Sequence, residues 1–340
     1  MSVEAPKLPQ PAARNLCTDC GVSRMKIAKS CGQACQFIRP NYPALEAKVH
    51  GRTRGTGDEQ FFGPFNAMHR ASLKHPEPGA QWTGLTTKLA ERLLENGKVE
   101  AVLCRWKPQP IIVTTPDGMQ NARGMRMGYA PVLALLETVA ERGFKRIAMI
   151  GIPCQVYALR AIEEKLGFER IYVIGTPCSD NTTTENFHDF LARLSDRPET
   201  INYLEFRADY YVELRFDDGT SQDIPLLKLP ISDLPCEFFP TTCRTCVDYT
   251  NVLADITVGY MAGQGDQWIV VRNTRGQEIL DGLDDLVHLE PLGTGGKRAG
   301  PVKGFLENTK RAAGGLPLRK MPGFMRGFMG CLMPIFGPKG

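Results

Sequence analysis

The sequence predicts an α/β protein: a mixed sheet with a parallel strand–helix–strand core, a Cys-rich N-terminal segment and a basic C-terminal tail. Three observations predict it. Lys145–Cys154 (KRIAMIGIPC) and Glu169–Cys178 (ERIYVIGTPC) are near-copies set 24 residues apart, with a helical stretch between them. Four Cys stand at 17, 20, 31 and 35, in a region rich in Gly, Pro and Arg. Residues 297–340 carry nine basic residues against one acidic, whereas the first 296 residues are net −4.

The length of 340 residues suits one large domain or two ordinary ones. Hydrophobic residues at 42% and charged residues at 23% are globular figures and exclude a fibre or a disordered chain. Eleven Cys are too dilute for a disulfide scaffold, yet many for a cytosolic enzyme without a metal. Met1–Ala13 has three prolines and no apolar h-region, and no apolar run is long enough to span a bilayer. A cytoplasmic, reducing location is therefore expected, where clustered Cys bind metal more often than they pair.

Taken in order, residues 1–60 read as an irregular, Cys-rich cluster-binding segment. Gln81–Leu94 reads as a helix, because Leu85, Leu89, Leu93 and Leu94 recur at helical spacing and Asn96-Gly97 closes it. Val99–Cys104 and Ile111–Thr115 read as strands, the second ended by Pro116-Asp117-Gly118. Tyr129–Arg142 is a second helix, with Val132, Leu135, Leu136 and Val139 on one face and Gly143 as its stop. The near-copies are apolar strands buried on both faces, joined by a helix over Gln155–Lys165. Beyond Glu199, Tyr211–Phe216 runs into Asp217-Asp218-Gly219 as a hairpin, and Ala254–Tyr260 and Gln267–Arg272 are further strands. The chain divides into 1–60, an α/β region 61–145, a region 146–296 with a second Cys set, and the tail 297–340.

The cysteines carry the chemistry. Cys17, Cys20, Cys31 and Cys35 give C-x2-C-x10-C-x3-C. Four thiolates suit tetrahedral zinc or a 4Fe-4S cube, and the spacing alone leaves both open. Cys243 and Cys246 form another bidentate loop, or a redox disulfide. Cys154 and Cys178, just beyond two parallel strand ends, are the evident suppliers of two more thiolates. Cys104 reads as a buried small hydrophobe. Cys236 lies near the second set and could replace one of its members, and Cys331 sits in the tail.

Four stretches resemble a known family: Gly79-Ala-Gln-Trp-Thr-Gly84, Gly151-Ile-Pro-Cys-Gln-Val-Tyr-Ala-Leu-Arg160, Gly175-Thr-Pro-Cys-Ser-Asp-Asn181, and Cys243 through Met261. They are similar to the beta subunit of coenzyme F-420 hydrogenase and dehydrogenase, over about residues 15 to 290, and most to its chlorophyll-pathway branch. That branch holds ferredoxin-dependent divinyl chlorophyllide a 8-vinyl reductase and 7-hydroxymethyl chlorophyll a reductase. The resemblance implies an FAD enzyme with two 4Fe-4S clusters, reduced ferredoxin as donor and a chlorophyllide-type tetrapyrrole as substrate. It makes Cys17, Cys20, Cys31 and Cys35 one ligand set and Cys154, Cys178, Cys243 and Cys246 the other. An early end at Gly340 leans toward a bacterial protein, and bacteria that make bacteriochlorophyll need 8-vinyl reduction. The expected order is therefore 8-vinyl reductase, then 7-hydroxymethyl chlorophyll a reductase, then a non-catalytic electron-transfer subunit.

Gln81, Trp82, Thr83 and Gly84 are the expected flavin contacts through amides that precede a helix, with an N-cap by Thr83 as the plainer role. Asp180 and Asn181 could serve the substrate or cap the next helix, and Asp248 and Tyr249 could face a cluster or only pack. None of the five His has ligand spacing, and no catalytic proton donor is identified. The tail lacks Tyr and Trp for base stacking, so nucleic acid is not an expected partner. Its Met321, Met325, Met329 and Met333 repeat and its Phe324, Phe328 and Phe336, with Lys and Arg, suggest an interfacial helix, an apolar wall for a chlorin or a loose basic extension, and its net charge suits an acidic ferredoxin or a photosynthetic membrane surface. Self-association into a homo-oligomer completes the partner expectations.

Overall fold

The two near-copies form adjacent parallel strands, and the 24-residue offset is their register. Arg146 pairs with Arg170, and each following pair keeps the offset to Gly151 with Gly175. The computed structural model describes residues 3–6, 8, 17–27, 30–106, 109–124, 127–207, 211–235, 237–240, 242–243, 246–259, 267–291 and 324. The strands are β1 (Val3–Glu4), β2 (Ala67–Leu73), β3 (Ala101–Trp106), β4 (Gln109–Val113), β5 (Arg146–Gly151) and β6 (Arg170–Gly175). Then follow β7 (Ile201–Phe206), β8 (Tyr211–Phe216), β9 (Ser221–Pro225), β10 (Ile256–Gly259), β11 (Gln267–Val271) and β12 (Val287–Pro291). Among the described residues, nine form one sheet in the order β1-β4-β3-β5-β6-β10-β11-β2-β12, and β7-β8-β9 form a second. Pairing is parallel from β3 through β5 and β6 to β10, and antiparallel on both flanks.

Helices cover both faces of the large sheet because its strands alternate two apolar faces. Ile147, Met149, Ile171 and Val173 point to α6 (Pro153–Ile162) and α5 (Leu135–Glu141). Ala148, Tyr172 and Ile174 point to α4 (Leu85–Glu95) and to α8 (Thr274–Asp281) on the other face. Leu85, Leu89 and Leu93 of α4 are buried, and each such side chain contributes about 1.5–3 kcal/mol relative to exposure. α7 (Thr184–Ala192) packs Phe187, Phe190 and Leu191 against the small sheet.

Several elements differ from the sequence reading. Residues 1–60 are not wholly irregular: α1 (Cys31–Ala34), α2 (Tyr42–His50) and α3 (Glu59–Phe62) lie in or beside them. Helix α2 packs Tyr42 and Leu45 against the core and buries Val49, and it is tied further by Lys48 to the Arg160 carbonyl and by Glu46 to Arg54. Helix α4 starts at Leu85 because Gly84 is left-handed at φ 92°. The second predicted helix is α only from Leu135, after a 3-10 turn over Val132–Ala134. β2, β7, β12, α7 and α8 carry weaker patterns and were not predicted. The tail, Cys236 and Cys331 lie outside the described residues, apart from an exposed Phe324. Among the described residues no helix is long and apolar enough to cross a membrane.

Two fully buried charges tie the layers together. Arg160 on α6 and Asp255 before β10 are both at 0% exposure and meet at 2.8 Å. Asp255 also accepts from the Val173 amide of β6 and from Arg275 and Asn273 at the start of α8. A Cβ at Gly276 would stand 2.0 Å from the Asp255 carbonyl oxygen, so glycine alone permits this approach. Arg272 follows β11 and donates to the carbonyls of Phe62, Pro64 and Thr250; burial draws its pKa down to about 10. His50 sits near this hub, with Nε2–H donating to Val252 and Nδ1 accepting from Asn273. Burial and the Arg272 charge hold its pKa down at about 3.

Two outcomes are expected. Asp255→Ala leaves Arg160 buried without its carboxylate and should cost about 3–5 kcal/mol, read as a large fall in the thermal unfolding midpoint; an unchanged midpoint would contradict the hub. His50 stays neutral in the fold while an unfolded His protonates near 6.5, so its contribution is complete above that pH and fades as pH falls toward 3. The melting temperature of His50→Gln should therefore drop less between pH 7 and pH 5 than that of the parent protein.

Candidate functional site

The strand ends of β5 and β6 are pinned by one side chain. Asn251, buried and left-handed at φ 61°, donates through Nδ2 to the carbonyls of Gly151 (2.8 Å) and Thr176 (3.2 Å). A Cβ at Gly175 would stand 2.7 Å from that Asn251 side chain and from Ala254. Glycine is thus required by the crossing loop at Gly175, whereas a Cβ at Gly151 would meet Met149 at 2.8 Å and Gln155 and Val156 of α6 at 3.4 Å; a Cys follows just beyond each. Cys154 opens α6 behind Pro153, while Cys178 lies in a loop whose amide donates to the Tyr249 carbonyl at 3.0 Å.

The eight predicted thiols gather in two adjoining sets. Burial pushes the Cys20 thiol up to about 12, and the charges of Cys17, Cys31 and Cys35 add to the shift. Burial likewise pushes Cys154 well up, reinforced by Cys178, Cys243 and then Cys20. Cys246 joins through its turn, its amide donating to the Cys243 carbonyl at 3.2 Å. The sets touch: Thr18 Oγ1 donates to Cys154 Sγ (3.7 Å) and Gln36 Nε2 to Cys246 Sγ (3.6 Å). Buried thiolates that repel one another ionise only beside a cationic centre, so the donor chemistry fits metal. Among the described residues no three His, Cys, Asp or Glu form a group that could hold a single ion. The thiolates of a four-iron cube each hold a different iron, and so stand farther apart than ligands sharing one ion. Cys104 is 2% exposed within the core, as a small hydrophobe.

A cavity of about 760 Å³ opens at the carboxyl ends of the parallel strands, where α/β sheets place ligands. β3 contributes Cys104 and Arg105, β6 leads into Cys178 through Asn181, and the small sheet supplies Phe206 and Tyr211 as a roof. A second, polar cavity of about 390 Å³ shares Arg105 and Arg123 with the first. Gln81, Trp82 and Gly84 line the main cavity, Trp82 in the left-handed region at φ 53°. Thr83 does not: its hydroxyl accepts from the Leu73 amide of β2, and it caps no helix. Asp180 and Asn181 also line the cavity, but Thr183 caps α7. Asn181 instead bonds both main-chain groups of Gly128. Asp248 is buried, accepting from the Val252 amide with the Tyr42 hydroxyl oxygen 3.4 Å away, and Tyr249 lines the cavity.

Other residues escaped the sequence reading. Glu205 on β7 is buried beneath the cavity-lining Gln81, which donates to it, and burial raises its pKa. Its second partner is the Tyr203 hydroxyl. Arg123 bonds Glu77 and the Pro78 carbonyl. Gln267, 7% exposed, brings to the cavity an Oε1 with no hydrogen-bond partner among the described residues. Single charges and amides in loops and strands leave no periodic signal.

With this geometry in view, comparisons place the chain. The family description "Coenzyme F420 hydrogenase/dehydrogenase, beta subunit" matches twice: its N-term over residues 68–137 and its C terminus over residues 144–292. An uncharacterized protein of Nostoc sp. is 36% identical over 338 residues, covering 96% of this chain and 83% of that protein. The chloroplastic 7-hydroxymethyl chlorophyll a reductase of Oryza sativa subsp. japonica is 36% identical over 349 residues, covering 96% of this chain and 74% of the other. A chain of the F420-reducing NiFe hydrogenase complex of Methanosarcina barkeri shares the fold, with TM-score 0.63 and 20% identity over 74% of this chain and 92% of that one. The chain belongs to the coenzyme F420 hydrogenase/dehydrogenase beta-subunit family of oxidoreductases, within its chlorophyll-pathway branch.

Proposed function

We propose that the chain is a ferredoxin-dependent reductase that converts the C8 vinyl group of 3,8-divinyl (proto)chlorophyllide a to ethyl. The observation that carries this reading is the contact between a redox-capable thiol set, through Cys178, and a mostly apolar cavity at the strand ends. The reaction adds two electrons and two protons across one C=C bond, and two reduced ferredoxins supply the electrons. The two Cys sets would hold 4Fe-4S clusters, which would supply one-electron transfer, and the cavity would hold FAD, which would supply two-electron reduction.

The chain's own groups suit that work. Gln81, Trp82 and Gly84 would hold the flavin, helped by the N-terminal amides of α4, and Arg105 and Arg123 offer charge to its phosphates. Phe206, Phe238 and Phe239 give a chlorin an apolar wall. Ile38 (59% exposed) and Val247 (67%) stand near Cys35 and Cys246 and would meet ferredoxin. The basic tail, with ferredoxin or a membrane surface as its partner, and a homo-oligomer remain part of the proposal.

A second reading, 7-hydroxymethyl chlorophyll a reductase, is favoured by the name of the rice relative. A third, an electron-transfer subunit, is favoured by the fold shared with a chain of a hydrogenase complex. Anaerobic assay with reduced ferredoxin should convert divinyl chlorophyllide a when it is offered beside 7-hydroxymethyl chlorophyll a. Turnover of only the latter would select the second reading, and turnover of neither would sink both enzyme readings. Iron and sulfide at about eight each per chain, with released FAD, is the expected composition.

A further inference from the structure

The N-terminal Cys segment does more than hold its own thiols: it reaches the sulfurs of the other set at two points. Thr18, between Cys17 and Cys20, donates its hydroxyl to Cys154 Sγ at 3.7 Å. Gln36, next to Cys35, donates Nε2 to Cys246 Sγ at 3.6 Å. Neither is a thiol or a titrating group, and each is attached to a different half of the first Cys set.

The orientation of Gln36 is fixed by its neighbours. Its Oε1 accepts from the Tyr42 hydroxyl at 2.5 Å, so the amide nitrogen is the end that faces sulfur. Tyr42 comes from α2 and also reaches Asp248 Oδ2 at 3.4 Å, two residues beyond Cys246. Gln36 is only 7% exposed. In such a dry place a donor aimed at a thiolate acts strongly, because little water competes for the sulfur.

We propose that Thr18 and Gln36 are positioning residues that raise the reduction potential of the second cluster by hydrogen bonding to Cys154 and Cys246, with Tyr42 holding Gln36 in place. This rests on the two-cluster reading above. A hydrogen bond to a cluster thiolate stabilises the added negative charge of the reduced state, so the bond moves potential upward. The first set accepts a bond of its own, from the Asp19 amide to Cys17 Sγ at 3.3 Å, so the proposal fixes the direction in which the second cluster's potential is moved and not the order of the two clusters.

The test is potentiometric EPR titration of the full holoprotein, with the second cluster identified as the signal lost in Cys154→Ala. Thr18→Val and Gln36→Leu should each lower its reduced-to-oxidised ratio at fixed poise by about tenfold, close to 59 mV for one electron. Tyr42→Phe should move it the same way by less, and Thr18→Ser should restore the parent value. Unchanged potentials in variants that keep about eight irons per chain would overturn the proposal. A parent protein without iron would instead overturn the cluster reading itself. Where a variant sheds its cluster, the parent decides: its Fe–S resonance Raman bands should shift in D2O, and bands that do not move would overturn the proposal.

Discussion

The buried pair of Arg160 and Asp255 is the constraint from which the rest of the architecture follows. Two charges at 0% exposure are tolerated only when they are paired, and here the Asp255 carboxylate lies 2.8 Å from the Arg160 guanidinium and accepts three further hydrogen bonds. Asp255 takes the Val173 amide, Arg160, Arg275 and Asn273, joining β6, α6 and α8 at one carboxylate. Arg160 adds Glu163 and the Leu253 carbonyl, which fixes the loop that leads into β10. Burying apolar side chains could bring these layers together in several registers. The charges select one, because a shift of a single residue would strand them in the core.

That selected register is what builds the site. With β10 set beside β6, the loop from Cys246 to Ala254 must cross the ends of β5 and β6. Asn251 then clamps both ends, Tyr249 receives the Cys178 amide, and Asp248 closes its own turn on Val252. Cys154, Cys178, Cys243 and Cys246 converge from three separate stretches without any of them controlling the geometry. The first Cys segment is positioned differently, by burying Val22, Met25 and Ala34 on the α6 face of the sheet. Its thiols therefore adjoin the second set through packing, and Thr18 and Gln36 complete the join.

The sequence made the central part of this legible because it contains a repeat. Gly151 and Gly175, the apolar runs before them and the Cys after them state the parallel pairing and its offset directly. The α4 leucines and the Asp217-Asp218-Gly219 turn were equally readable, since each is a local pattern. The outer strands β2 and β12 were not. β2 draws its partners from β11 and β12, about 200 residues away, and its own AMHRASL has no decisive period. In the small sheet the hairpin of β8 was readable and β7 was not: it is written INYLEF, without a clean period, and its buried Glu205 accepts from the Tyr203 hydroxyl. Thr83 shows the opposite failure. A residue of N-cap type one place before Gly84 was a sound reading, but β2 competes for the hydroxyl and takes it.

This division bears on substrate. Reduction of a vinyl group and removal of a hydroxymethyl oxygen each consume two electrons and two protons, so the thiol sets and the charge hub cannot distinguish them. A frame fixed by Asp255 and Asn251 would serve either reaction unchanged. Discrimination has to come from walls that touch the macrocycle, and the cavity takes Phe206 and Tyr211 from the small sheet and Phe238 and Phe239 from the loop below it. Those walls hang on their own core of α7 and β7–β9, whose Phe187, Phe190 and Leu214 pack apart from the large sheet. The roof can therefore be remodelled without disturbing the buried charges. Relatives that share the repeated Gly-x-Pro-Cys should differ in chemistry through this roof, where a substrate would lie closest.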